Sequence, residues 1–119
     1  MATLSTHTLN SVDGSHAGPI ALNLYRIDPD GGRTSFLQGE TDTGGRFAAE
    51  FGLSDEDLQS EFELVLETGA YFEARGISET GSQICRQTVI RFRMPDPDRR
   101  YHIPMMLAPH SYSVWWSGA

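Results

Sequence analysis

The chain has 119 residues, with 16 acidic side chains against 9 basic ones, all arginine, and a net charge of −7. That length fits one domain, 1–119, with a core that needs no disulfide staples, and the acidic balance argues against nucleic acid or an anionic membrane as partner. Apolar residues recur throughout, which excludes a disordered tail. No apolar run approaches the ~18 residues that span a bilayer, and the lone cysteine, Cys85, excludes an internal disulfide or a cysteine-based zinc site.

Thr3–Asn10 alternates weakly and reads as a first strand. Gly14, Gly18 and Pro19 mark Val12–Pro19 as a turn. Ile20, Leu22 and Leu24 alternate with Ala21, Asn23 and Tyr25, a half-buried strand to Ile27. Asp28-Pro29-Asp30-Gly31-Gly32 is a strong turn before a returning strand, Arg33–Gly39. A loop over Glu40–Gly45 leads into a strand, Arg46–Phe51. Ser54 followed by acids signals one helical turn within Leu53–Ser60. Phe62, Leu64 and Leu66 alternate with glutamates, the clearest amphipathic strand. Ala70–Arg75 reads as a short helix closed by Gly76. Gln87–Met94 is a further strand, Pro95–Asp98 a turn, and Arg100–Ala108 and Ser111–Trp116 are final strands broken at Pro109. Seven or eight short strands at turn spacings of about 8–12 residues predict a β-sandwich.

Histidine exchanges protons near neutral pH, and the chain has His7, His16, His102 and His110. His7 and His102 fall on predicted strands, where two imidazoles can face each other across a sheet. Taken alone, each reads as an ordinary edge imidazole. Arg46 enters a strand from a glycine turn and can present its planar fork to a carbonyl or carboxylate. Metal is not expected, because zinc needs three or four converging ligands and no His-x-His or His-Glu-x-x-His spacing occurs. Gly-x-Ser-x-Gly is absent as well, and Cys85 has no reactive signature. An exposed Trp115-Trp116 pair would be an association or ligand surface.

Leu4-Ser5-Thr6-His7, Thr41-Asp42-Thr43-Gly44-Gly45-Arg46, Glu67-Thr68-Gly69-Ala70-Tyr71-Phe72, Val89-Ile90-Arg91-Phe92, Tyr101-His102-Ile103-Pro104 and Pro109-His110-Ser111-Tyr112-Ser113 occur in this order. The set resembles the transthyretin-related 5-hydroxyisourate hydrolases over nearly the whole chain. The resemblance implies an all-β, transthyretin-like two-sheet sandwich with one short helix. It implies a homotetramer, a dimer of dimers, with sites in the channel where dimers meet, while the lone Cys85 fits a reducing, cytoplasmic compartment. The implied reaction is the second step of urate breakdown, in which water opens the N1–C6 amide of 5-hydroxyisourate to a ureidoimidazoline without metal or organic cofactor. Its catalytic positions fall on His7, Arg46 and His102. Ser113, with Trp115 and Trp116 of the tail, falls where substrate is held.

Three stretches depart from the family. Its usual Tyr-Arg-Gly-Ser ending reads Trp115-Trp116-Ser117-Gly118 here, followed by Ala119; Arg100 replaces the first His of His-Tyr-His-Val-Pro; and the turn after His7 lacks Gly-x-Pro-Ala. A guanidinium lost and an indole gained would favour a less polar substrate. An N-methylated hydroxyisourate, such as the trimethyl form from caffeine oxidation, therefore stands beside the plain one as substrate. A non-catalytic carrier of a small aromatic ligand is the alternative, since fold alone does not fix activity. A generic immunoglobulin-like interaction module is a third reading.

Overall fold

The computed structural model describes residues 1–76 and 82–118. Eight strands form in chain order: β1 (Ala2–Asn10), β2 (Ala21–Ile27), β3 (Arg33–Glu40), β4 (Arg46–Phe51), β5 (Glu61–Leu66), β6 (Thr88–Arg93), β7 (Arg100–Ala108) and β8 (Ser111–Val114). Two short helices, α1 (Asp55–Gln59) and α2 (Thr68–Ala74), flank β5. The strands make two four-stranded sheets, β4-β1-β7-β8 and β3-β2-β5-β6. Every neighbouring pair is antiparallel except β1 and β7, which run parallel.

The core lies between the sheets. Leu22, Leu24, Phe62, Leu64 and Leu66 enter it from one side, and Leu4, Tyr101, Ile103, Met105 and Leu107 from the other. Phe62 is fully buried and takes the Phe36 ring edge-on at 5.3 Å. Truncating such a ring to alanine costs about 3–5 kcal/mol in lost burial and cavity.

The weak alternation of the first strand has a physical cause. Its inward side carries Ala2 and Leu4 but also Thr6, Thr8 and Asn10, all buried. Most of these polar atoms are answered locally, although Asn10 Nδ2 has no partner among the described residues. Thr6 Oγ1 donates to the Ile103 carbonyl at 2.6 Å, Thr8 Oγ1 donates to the Ala17 carbonyl at 2.6 Å, and Asn10 Oδ1 accepts from the Val12 N–H at 2.9 Å. Buried polar groups bonded in this way escape the desolvation penalty. Because both faces of β1 are polar, hydrophobicity alone gives its register poorly.

The helical turn expected within Leu53–Ser60 is α1, a second helix beside the one the resemblance implies. Ser54 caps it, and a reciprocal bond runs from the Ser54 N–H to the Asp57 carboxylate. The other helix begins at Thr68, two residues before the predicted start, and Gly76 at φ +64° closes it. The last strand stops at Val114 instead of Trp116. Beyond it the Trp115 N–H donates to the Pro104 carbonyl at 3.3 Å and Ser117 bridges His102.

Candidate active site

In the β4-β1-β7 ladder, side chains directly opposite one another share a face, so register fixes the neighbours. On the outward face, Arg46, His7 and Pro104 form one row. Ala48, Ser5 and His102 form the next, and Glu50, Thr3 and Arg100 the third. Two predicted catalytic residues, Arg46 and His102, line one groove of about 610 Å³ with Ser5, Asp42, Arg100 and Gly118. The third, His7, stands beside Arg46 in its row, just outside the groove lining.

The loop before β4 sets Arg46. The Asp42 carboxylate accepts from the backbone N–H groups of Gly44 and Arg46, both at 2.9 Å, and the Asp42 carbonyl accepts from the Gly45 N–H at 2.9 Å. Gly45 holds φ +76°, and a Cβ there would lie 2.3 Å from the Thr8 carbonyl oxygen. Only glycine supplies both the left-handed backbone and that close approach. The Thr-Gly-Gly-Arg stretch is therefore a device for delivering a guanidinium at the end of a strand.

His102 is held by its neighbour in register. Ser5 Oγ and His102 Nδ1 are 2.7 Å apart, which leaves Nε2 for chemistry. Its backbone exchanges hydrogen bonds with Ser117 at 3.0 and 2.8 Å, so the tail borders the groove. His7 Nε2 is buried without a hydrogen-bond partner among the described residues. The His16 ring meets His7 edge-on at 4.9 Å, and His16 Nδ1 donates to the Gly44 carbonyl at 3.0 Å. Burial, together with the charges of Arg46, His16 and His102, pushes the His7 pKa below its usual 6.5 against a backbone hydrogen bond at Gly44. His7 is therefore neutral at pH 7 and able to accept a proton.

The predicted substrate-binding residues separate. Ser113 lies opposite Met106 on β8, beyond the groove. Trp115 and Trp116 line a different, apolar groove of about 480 Å³ with Ile90, Phe92 and Val114. Both indoles are about half exposed, at 49% and 57%. The Trp116 ring sits over Tyr101 with centroids 6.4 Å apart. Sequence reasoning passed over Ser5, Asp42 and His16 as site residues. The period of two in a strand, which puts Ser5 and His7 on one face, was the signal for Ser5. His16 had none, because the turn alone brings it back. Among the described residues, no three His, Cys, Asp or Glu side chains converge to hold a metal ion.

The sequence model described as the HIUase/Transthyretin family matches residues 4–116. The chain belongs to that family. Its similarity to bacterial family members is spread over nearly full length. It is 31% identical to the 5-hydroxyisourate hydrolase of Pseudomonas aeruginosa, over 97% of this chain and 90% of that one. It is 30% identical to the 5-hydroxyisourate hydrolase of Ralstonia nicotianae, over 97% of both. Sea bream transthyretin, solved with thyroxine, superposes with a TM-score of 0.78 at 24% identity, over 98% of this chain and 95% of that one. An (S)-allantoin synthase superposes at 0.79 with 25% identity, and this chain spans 43% of its length. The family's sandwich is thus the fold of this chain: transthyretin-like, all-β, two sheets.

Proposed function

We propose that this chain is a 5-hydroxyisourate hydrolase. The observation that carries the reading is Arg46 and His102 lining one groove with His7 beside them, in a chain whose relatives bear that enzyme's name. A carrier of an aromatic ligand needs no such polar set.

Ring opening joins a water oxygen to C6 and breaks the C6–N1 bond. His7, neutral at pH 7, takes the proton from water as the new bond forms. The same proton ends on the departing N1, relayed by the two imidazoles, with Ser5 fixing the His102 ring through Nδ1 and leaving Nε2 free. Arg46 orients the ring and stabilises charge on the carbonyl oxygen as it becomes tetrahedral. The proton that leaves water ends on N1, so both histidines finish as they began, and the scheme has no cofactor.

Plain 5-hydroxyisourate is the substrate we propose ahead of the N-methylated forms. Trp115 and Trp116, the residues that suggested a less polar substrate, line the other groove. Assembly into a homotetramer, a dimer of dimers, belongs to the same proposal. It is supported by β6 and β8, each the last strand of its sheet, and by exposed Tyr112, Val114 and both indoles beside them. We place the protein in the cytoplasm as a single domain over 1–119; no described helix is long and apolar enough to cross a membrane.

The test is a stopped-flow ultraviolet assay, with 5-hydroxyisourate and its trimethyl analogue each generated in situ by the matching oxidase. Faster decay of the plain compound is expected. Faster decay of the trimethyl compound alone reverses the substrate assignment. Decay at the blank rate for both removes the hydrolase and moves the carrier to first place.

A further inference from the structure

We propose that Arg100 is a second substrate-anchoring residue that sets specificity at the edge of the ring remote from the hydrolysed amide. This rests on the hydrolase reading and extends it. Arg100 lies two residues before His102 on β7, so both share the outward face. It lines the same groove as Arg46. The two arginines stand at opposite corners of the three rows, two strands and four residues apart, about 16 Å between Cα atoms. Ser5 and His102 lie between them.

Neither guanidinium has a carboxylate within 4 Å among the described residues. Among the described residues Arg75 and Arg93 also have no ion pair, but of these four arginines only Arg46 and Arg100 line this groove. Asp42 is the one acid lining the groove, and its Oδ1 is engaged by backbone N–H groups. Two like charges facing one cavity repel each other until something neutralises them. A planar ring with carbonyl or anionic oxygens on opposite edges does so at both corners. Guanidinium forks recognise such oxygens through paired hydrogen bonds.

The tail explains why this anchor comes from β7. Trp116 turns its side chain over Tyr101, and Ser117 and Gly118 of the tail line the groove. A Cβ on Gly118 would lie 2.9 Å from the Arg100 carbonyl oxygen, so the tail presses against this residue and walls the corner from which its side chain projects.

The test compares wild type, Arg100→Gln and Arg100→Lys on 5-hydroxyisourate, with KM and kcat resolved and folding checked by circular dichroism. Loss of a hydrogen bond to a charged partner predicts a KM raised about 10- to 100-fold in the Gln variant, with kcat changed less than about threefold. The Lys variant keeps the charge but lacks the fork and should fall between. A Gln variant with wild-type KM, or one that loses kcat alone, overturns the proposal. Should Gln disturb folding, the Lys variant decides: a KM raised several-fold supports the anchor, and a wild-type KM removes it. A wild-type protein that leaves decay at the blank rate overturns the hydrolase reading, and the anchor with it. An active wild type with an indifferent Arg100 overturns the anchor alone.

Discussion

The two outward sheet faces treat arginine differently: on one, Arg91 and Arg33 are paired with a carboxylate and Arg93 is not, and on the other neither Arg46 nor Arg100 is paired among the described residues. On β3-β2-β5-β6, Glu63 receives Arg91 at 2.6 Å and Arg33 at 3.4 Å, and Arg33 also lies 4.2 Å over the Tyr25 ring. On the other, inward face of the same sheet, opposite Phe62, Arg26 meets Asp57 at 3.1 Å. The hydrogen bond from Arg91, first among several causes, holds the Glu63 carboxyl below its usual range although partial burial works the other way. On β4-β1-β7, Arg46 and Arg100 face a groove with no such partner among the described residues. Charge satisfied within a face stabilises that face weakly. Charge left unpaired beside two imidazoles is a surface arranged for a ligand.

The sharpest way to break this contrast is Arg46→Lys. A point charge cannot reproduce the fork, and removing one preorganised donor from the developing charge costs about two to three orders of magnitude. The expected kcat/KM is therefore at least about a hundredfold below wild type in the ultraviolet assay. Near-normal turnover would put Arg46 on the same footing as the paired arginines of the other sheet.

Next comes the loop that delivers that arginine. Gly45→Ala forces a side chain into a left-handed position against the Thr8 carbonyl. We expect it to destabilise the chain by about 2–4 kcal/mol in urea titration. A loss under about 1 kcal/mol would mean the loop relaxes, and the position of Arg46 would then not depend on glycine.

These two sites also mark what the sequence could and could not show. Turn residues and the period of two placed the strands to within a few residues, and glycine before Arg46 pointed to a delivered side chain. The Ser5–His102 contact joins residues 97 apart through a parallel pairing of the first and seventh strands. No local pattern encodes that neighbour. His16 comes to His7 through a turn, and Trp116 folds back over Tyr101. Both depend on where the chain returns, which composition and spacing leave open. The resemblance puts Trp115 and Trp116 at the site because they stand in place of the family's tail, but here the tail carries its backbone to the groove and its indoles to the other groove.

A smaller effect tests the electrostatics of the unpaired face. With the His7 pKa pushed below 6.5, chiefly by burial and then by Arg46 and His16, kcat/KM should be flat above about pH 6.5 and fall on its acid side. The sign for stability follows: the unfolded imidazole takes a proton that the folded one refuses, so this contribution is full above 6.5 and declines as pH drops below it. Replacing His16 with Asn removes one of the depressing charges. The His7 resonance in an NMR titration should then move up, towards the ordinary value. An unchanged midpoint would show that burial and Arg46 set it without His16.

The smallest effect belongs to the paired face and is the control for the rest. Arg91→Gln leaves Glu63 with Arg33, on a surface where Arg91 is half exposed and screened by solvent. Pairs of that kind contribute little. The expected change in Tm is below about 4 °C, shrinking further in 0.5 M salt, where screening falls within about 5 Å, and hydrolysis should proceed at the wild-type rate. The same Arg-to-Gln change at position 100, equally a surface strand position, should leave Tm as little altered yet raise KM. Two identical substitutions with matching thermal behaviour and opposite kinetic behaviour would separate a guanidinium that serves the fold from one that serves the ligand. If Arg91→Gln also raised KM, the groove would be sensing charge across the whole molecule, and local pairing would no longer distinguish the two faces.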